Sequence, residues 1–240
     1  MNTDLSLATP FDPYVETSGR IDSNSGKLIE QAYQKSLDYK SNLPEWIIKE
    51  NGMSGKKYRH FINNLVSSNT DARYLEIGSW KGSTVCSATY GNKVDALCID
   101  NFSQFGNVRE HLLSNIKKCE SEDTKIKFLE SDFRKVDYNS IGKFNIYFFD
   151  GPHEEKDQFD ALSLALPALD DEFIFIVDDW NDPRPRYGTF KAIGELGLTE
   201  VYSKIIRTSD GVRVVYPKPH VLEKSDWHNG YYISVQRKKK

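Results

Sequence analysis

Cysteine is scarce and scattered. Cys86, Cys98 and Cys119 form an odd set without close spacing, which argues against a disulfide framework and against a zinc cluster. Cys86 and Cys98 sit among apolar neighbours and read as small core residues. No apolar stretch approaches the ~20 residues needed to cross a bilayer. The opening Met1-Asn2-Thr3-Asp4 has neither the positive n-region nor the apolar h-region of a secretory leader. These absences predict a cytoplasmic protein with no membrane partner. Positive charge is not in excess either: the formal net charge is −3. The one dense basic run, Arg237 to Lys240, reads as a solvated tail. Nucleic acid is therefore not an expected partner. Internal repeats and low-complexity blocks are missing as well.

What is present suits one α/β domain with additions: 240 residues, 38% hydrophobic and 28% charged, in the ordinary globular range. Residues 1–25 are polar, with Pro10 and Pro13, and read as a loose arm. Helices are predicted near Gly26 to Lys40 and Gly55 to Ser68. In the second, Tyr58, Phe61, Ile62 and Leu65 recur at helical spacing. Leu43 to Ile48 reads as a Pro-started helical turn. From residue 72 the pattern alternates. Strands are expected at Ala72 to Ile77, Val94 to Asp100, Lys125 to Leu129, Phe144 to Asp150 and Glu172 to Asp178. Helices fall between them, near Ser83 to Tyr90, Val108 to Cys119 and Glu155 to Ala168. Near-continuous apolar runs mark strands covered on both faces, and the alternation predicts a doubly wound, mostly parallel sheet. The end differs. A helix near Tyr187 to Leu196 precedes strand candidates at Glu200 to Arg207, Val212 to Tyr216 and Tyr231 to Gln236. Strands without a helix between them suggest an antiparallel closure of the sheet edge. The expected division is 1–69, an arm and helices serving as lid, substrate contact or dimer contact, and 70–240, the sheet domain. A homo-oligomer stays open.

The first strand runs into Glu76-Ile77-Gly78-Ser79-Trp80-Lys81-Gly82-Ser83. Its glycines allow a sharp turn and a close ligand approach. The helix that follows offers free N–H groups and a positive dipole end. This suits a nucleotide or nucleoside cofactor. The loop lacks the G-x-G-x-x-G of dinucleotide sites, and Lys81 stands before Gly82, out of register for a phosphate-cradling P-loop. What remains, E-x-G-x-x-x-G, resembles the first motif of class I S-adenosylmethionine-dependent methyltransferases. A carboxylate here repels phosphates but can bind an ammonium group. The alternative is a plain strand-to-helix turn with a solvated Glu76. Asp100, a little over 20 residues on, can accept both ribose hydroxyl protons, a feature shared with NAD enzymes. Asp132 follows the third strand, and the resemblance implies that it meets the adenine amino group while Phe133 packs on the ring. The cofactor contacts implied are Glu76, Gly78, Ser79, Trp80, Gly82, Ser83, Asp100, Asn101, Asp132, Phe133 and Asp150.

The fourth and fifth strands end in Asp150-Gly151-Pro152-His153 and Asp178-Asp179-Trp180-Asn181-Asp182. These segments resemble the macrocin-type sugar O-methyltransferases, which carry a D-G-x-H stretch and an acidic pair at these places. The resemblance covers roughly residues 70 to 192. It implies a Rossmann-like fold, metal ligation by Asp150, Asp178 and Asp179, and a hydroxyl acceptor on a sugar or glycosylated small molecule. Independently, clustered carboxylates repel unless protonated or bridged by a cation, and oxygen-only ligands favour Mg²⁺, Mn²⁺ or Ca²⁺. His153 is the candidate general base, with Asp150 beside it. Surface or turn roles for His153, a turn at Asp182 and a helix cap at Asp179 remain alternatives. Trp80, Trp180, Phe102 and Tyr187 are core or pocket aromatics. Arg184 and Arg186 are solvated or contact an anionic acceptor. Trp227-His228-Asn229-Gly230 reads as the turn before the last strand. The functions in contention are a Mg²⁺-assisted O-methyltransferase, a metal-independent methyltransferase with His153 as base, and a catalytically inactive cofactor-binding protein. An NAD-linked oxidoreductase is disfavoured by the missing glycine triplet.

Overall fold

The computed structural model describes residues 13–208 and 225–239. Among these residues eight strands form one sheet, in the order β1-β7-β8-β6-β5-β2-β3-β4. They are β1 (Tyr14–Gly19), β2 (Arg73–Ile77), β3 (Val94–Asp100), β4 (Thr124–Glu130), β5 (Phe144–Phe149), β6 (Leu169–Val177), β7 (Thr199–Arg207) and β8 (Tyr231–Arg237). β2 to β6 pair in parallel. β8 runs antiparallel between β6 and β7, and β1 pairs antiparallel with β7. The expected doubly wound sheet with an antiparallel C-terminal side is thus observed. One part differs. The arm expected to be loose supplies edge strand β1, because the outer side of β7 offers unpaired backbone groups to any extended neighbour. The strand candidate Val212 to Tyr216 lies outside the described residues.

Helices cover both faces: α1 (Asn24–Leu37), α2 (Glu45–Ile48), α3 (Lys56–Ser68), α4 (Ser83–Thr89), α5 (Arg109–Cys119), α6 (Glu155–Ala165) and α7 (Pro183–Glu195). Strand alternation divides the core in two. Tyr74, Ile146, Phe148, Ile174 and Ile176 face Tyr58, Phe61, Ile62 and Leu65 of α3. Leu75, Tyr147, Phe149, Phe175 and Val177 face Ala161 and Leu162 of α6 and Ala192 of α7. Tyr58 anchors α3 to the sheet centre: its ring stacks on Tyr231 at 3.9 Å and lies 5.4 Å from Phe148. Truncating a ring buried like Phe148 costs about 3–5 kcal/mol. α7 starts at Pro183, four residues before the expected Tyr187, because the Asp182 side chain accepts the Arg184 N–H as an N-cap and Pro is tolerated at the first helical position. Among the described residues no helix is long and apolar enough to cross a membrane.

Candidate active site

Register builds the site. Ile77 of β2 lies opposite Ile99, and opposite Phe149, which in turn pairs with Val177. The next residues of these strands, Asp100, Gly78, Asp150 and Asp178, therefore emerge side by side at the carboxyl edge. Backbone bonds continue past the strand ends: Gly78 N–H to Ile99 O, Asp150 N–H to Ile77 O and Asp178 N–H to Phe149 O, at 2.9, 2.9 and 3.2 Å. Open α/β sheets bind ligands at this edge. A cavity of about 680 Å³ opens there.

The loop after β2 needs its first glycine. Gly78 has φ +91°, and a Cβ there would meet the Asp150 carbonyl oxygen at 1.9 Å. Asp100 then holds the loop's shape. Its two carboxylate oxygens accept the backbone N–H groups of Trp80 and Phe102 at 2.7 and 2.6 Å. Asp132 caps the turn after β4 through the Arg134 N–H at 3.0 Å. Phe133 packs edge-on against Phe149 at 5.5 Å. Gly78, Ser79, Trp80, Ser83, Asp100, Asn101, Asp132, Phe133 and Asp150 all line the cavity.

Glu76 and Gly82 do not. Strand alternation turns Glu76 away from the edge and into the core, where it is fully buried. Its carboxylate accepts hydrogen bonds from Tyr74 and Thr84 at 2.6 and 2.8 Å. Burial pushes its carboxyl up to about 7, against those two bonds, which pull it down. Neither a solvated side chain nor one in the open cavity describes it. Its position explains Thr84, which carries its hydroxyl from the cavity wall back to Glu76. Gly82, with φ +86°, instead packs against Leu112.

At the other end of the cavity stand Asp150, His153, Asp178 and Asp179. Burial, and then the charges of Asp178 and Asp179, push the Asp150 carboxyl well above the usual carboxylate range. Burial and the adjacent Asp179 do the same to Asp178. Asp179 differs. Burial, the largest single influence, would raise it, but the hydrogen bond and charge of His153, with the Asn229 bond and the nearby His228, together outweigh burial and hold it low. His153 Nδ1 lies 2.7 Å from Asp179 Oδ2. Burial would lower the imidazole, yet Asp179 leaves it raised. The other oxygen, Asp179 Oδ1, accepts Asn229 Nδ2–H at 2.7 Å. Asp178 Oδ1 is buried with no hydrogen-bond partner.

Several cavity residues lie outside the sequence expectations. His228 and Asn229 reach in from the turn before β8, and Met53 and Ser54 from the segment between α2 and α3. The 227–230 turn was legible, but its position was not. β8 inserts between β6 and β7, so its leading turn lies against the end of β6, with Asn181 N–H bonded to Asn229 O at 2.9 Å. No local pattern marks this. Trp180 is core and not a pocket wall: it is 1% exposed and stacks on Tyr232 at 4.5 Å. Tyr187 is 67% exposed on α7 and does not line the cavity. Arg184 pairs with Asp182 and Glu154, both at 2.6 Å. Six described non-glycine residues have positive φ, and Trp80, Phe102, Asp179 and His228 among them line the cavity. Such backbone strain, about 1–3 kcal/mol each, gathers where function over-determines geometry.

Residues 75–180 match a family model described as a methyltransferase domain. No curated protein matches the sequence. Three solved structures are similar in fold. The cofactor-bound protein Rv0187 from MTB aligns with TM-score 0.53 and 14% identity, over 91% of this chain and 92% of its own. A structure titled a putative O-methyltransferase, from Klebsiella pneumoniae, aligns with TM-score 0.52 and 13% identity, over 88% and 90%. TrmN from Thermus thermophilus aligns with TM-score 0.51 and 15% identity, over 80% of this chain and 52% of its own, so the chain spans about half of that relative's length. At these identities the likeness establishes the fold alone.

Proposed function

From the match of residues 75–180 to a methyltransferase-domain model and the likeness in fold to solved structures, we propose that the protein is an S-adenosylmethionine-dependent O-methyltransferase on the class I fold. One observation carries the reading. A single cavity holds Asp100, Asp132 and Phe133 at one end and Asp150, His153, Asp178 and Asp179 at the other. In this reading the nucleoside lies along Gly78, Ser79, Trp80 and Ser83, with Asp100 toward the ribose and Asp132–Phe133 toward the base. The acceptor hydroxyl enters at the His153 end. Its oxygen forms a bond to the methyl carbon as the carbon–sulfur bond breaks, leaving S-adenosylhomocysteine. The proton passes to His153 Nε2, which stays free as an acceptor because Nδ1 is held by Asp179. Asp179 thus fixes the imidazole's tautomer and stabilises its charged form, the service that an orienting carboxylate gives a histidine base.

Asp150, Asp178 and Asp179 are the proposed holders of a divalent cation such as Mg²⁺. The donor set fits: three carboxylates crowd one cavity, two of them are pushed toward protonation, and Asp178 Oδ1 lacks a partner. A bound cation would supply charge neutralisation and a lowered acceptor pKa. The tight contact of Asp179 with His153 and Asn229 favours a second reading, in which the dyad suffices without metal. A sugar or glycosylated acceptor rests on the resemblance of Asp150-Gly151-Pro152-His153 and Asp178-Asp179 alone.

The test is in two steps. Thermal shift with S-adenosylhomocysteine should show stabilisation; its absence overturns the methyltransferase reading. Incubation with S-adenosylmethionine and a panel of glycosides should then give acceptors heavier by one methyl group in mass spectrometry. Stabilisation without transfer to any hydroxyl acceptor overturns the O-methyl assignment. Full activity in EDTA removes the metal and leaves the dyad.

A further inference from the structure

We infer that Asp178, Asp179 and His228 form a divalent-cation site with one nitrogen ligand, which selects a first-row transition ion such as Mn²⁺ over Mg²⁺. The inference rests on the metal-assisted reading above and changes its ligand set. Ligand atoms of these three residues all lie within 4.8 Å of one another. That span fits a single ion, since metal–donor bonds run about 2.0–2.6 Å and two of them reach roughly twice as far. Asp150 is a near neighbour in the cavity wall but does not belong to this converging group.

Two unpartnered buried atoms, one of them on a residue other than a carboxylate, point to an ion. Asp178 is only 4% exposed, yet its Oδ1 has no hydrogen-bond partner. His228 Nδ1 is likewise buried and unpartnered. Both residues line the cavity. Buried polar atoms are ordinarily satisfied, and orphans at a cavity wall mark a missing ligand or ion. The two residues come from different segments, and ligand atoms of both belong to the converging group.

The surrounding structure holds the donors as a metal's outer partners do. Asn229 Nδ2 donates to Asp179 Oδ1 and His153 Nδ1 contacts Asp179 Oδ2, both at 2.7 Å. A carboxylate has about four lone-pair sites, so Asp179 keeps capacity for an ion after both bonds. The Thr208 hydroxyl donates to the His228 carbonyl at 2.6 Å. Trp180 N–H bonds to Gly230 O at 3.2 Å, and Gly230 N–H to Trp227 O at 2.9 Å. These bonds keep His228 at φ +44° and Asp179 at φ +55°, left-handed conformations that neither residue adopts freely.

The nitrogen decides the metal class. Mg²⁺ prefers oxygen donors and keeps its waters, whereas imidazole raises affinity along the first-row series. Mn²⁺ is the useful probe because it accepts both donor types and is paramagnetic.

The experiment uses the full chain saturated with S-adenosylhomocysteine and titrated with Mn²⁺, read by electron paramagnetic resonance and calorimetry. Mn²⁺ should bind at least about tenfold more tightly than Mg²⁺ in competition. Pulsed spectra should show nitrogen coupling. His228→Ala should lose that coupling and weaken Mn²⁺ binding at least about tenfold, with S-adenosylhomocysteine affinity retained. His153→Ala should keep the coupling. If bound Mn²⁺ shows no nitrogen coupling, or is lost in Asp150→Asn but not in His228→Ala, this ligand set is overturned and the carboxylate site proposed above stands. If neither ion binds while S-adenosylhomocysteine does, the metal part of both readings fails and the methyltransferase reading survives. Should His228→Ala misfold, nitrogen coupling in the native and His153→Ala proteins decides.

Discussion

The two ends of the cavity are built on opposite principles. At the end assigned to the nucleoside, each acid is satisfied by its own neighbourhood: Asp100 by the Trp80 and Phe102 N–H groups, Asp132 by that of Arg134. At the end assigned to the chemistry, Asp150 and Asp178 are buried close together and pushed toward protonation, and Asp178 Oδ1 and His228 Nδ1 lack partners. The first end is made of carboxylates that accept backbone N–H groups of the turns beside them. The second is a concentration of unfavourable charge that only tertiary packing can impose and that a cation, a proton or a substrate would relieve. Binding and chemistry are thereby separable, and substitutions at the two ends should fail differently.

The largest effect should come from joining the ends. Gly78→Ala places a methyl group 1.9 Å from the Asp150 carbonyl at a φ of +91°, so stability should fall by more than about 3 kcal/mol. Calorimetric melting checks this, and an unchanged melting temperature would show that the loop yields without disturbing Asp150. Next, His153→Ala should lower kcat about 10²–10⁴-fold, the range for a lost general base. S-adenosylhomocysteine affinity should stay as it was, since the loss sits at the chemical end. Equal losses in both would merge the two ends into one.

Asp100→Ala tests the other side. It strands the Trp80 and Phe102 N–H groups, and hydrogen bonds to charged groups are worth about 1.5–3 kcal/mol, so cofactor affinity should drop roughly 10- to 100-fold. kcat at saturating cofactor should change far less. A collapse in kcat with affinity intact contradicts the assignment.

The smallest and most diagnostic effect is at Glu76, beneath the floor of the cavity. Burial lifts its carboxyl to about 7 in the folded chain, from an ordinary 4.5. A raised folded value means that folding favours the protonated form. Its contribution is fully present below pH ~4.5 and is lost as pH climbs through ~7. Glu76→Gln removes that loss. The variant should match the native protein near pH 4 and exceed it at pH 8 by about 1–3 kcal/mol, given ~1.4 kcal/mol for each tenfold change in proton affinity and the weaker acceptance of the Tyr74 and Thr84 hydroxyls by an amide. Denaturant melts at the two pH values read the difference. A gap that does not grow with pH means that Glu76 is charged in the fold.

Much of this was legible from residues alone. Apolar runs such as Phe144–Phe149, set between helical patterns, point to a parallel sheet, because the intervening crossover helices cover both faces of such strands. Acids placed just past those runs must then gather at one edge, which fixes Asp100, Asp132, Asp150 and Asp178 near one cavity before any coordinates are known. Three things depended on the tertiary structure. Glu76 points into the core because Tyr74 and Glu76 share a strand face that α3 and α4 cover; the alternation with Leu75 and Ile77 signalled the face, but not what covers it. The edge strand β1 formed in a segment too polar to announce itself, since main-chain pairing needs no apolar side chains. His228 and Asn229 entered the site because β8 inserts between β6 and β7, a choice of strand order made by the whole sheet. Short-range pattern determines which elements form and which way their ends face. Contacts between residues some fifty positions apart, like Asp179 with Asn229, exist only once every strand has found its neighbour.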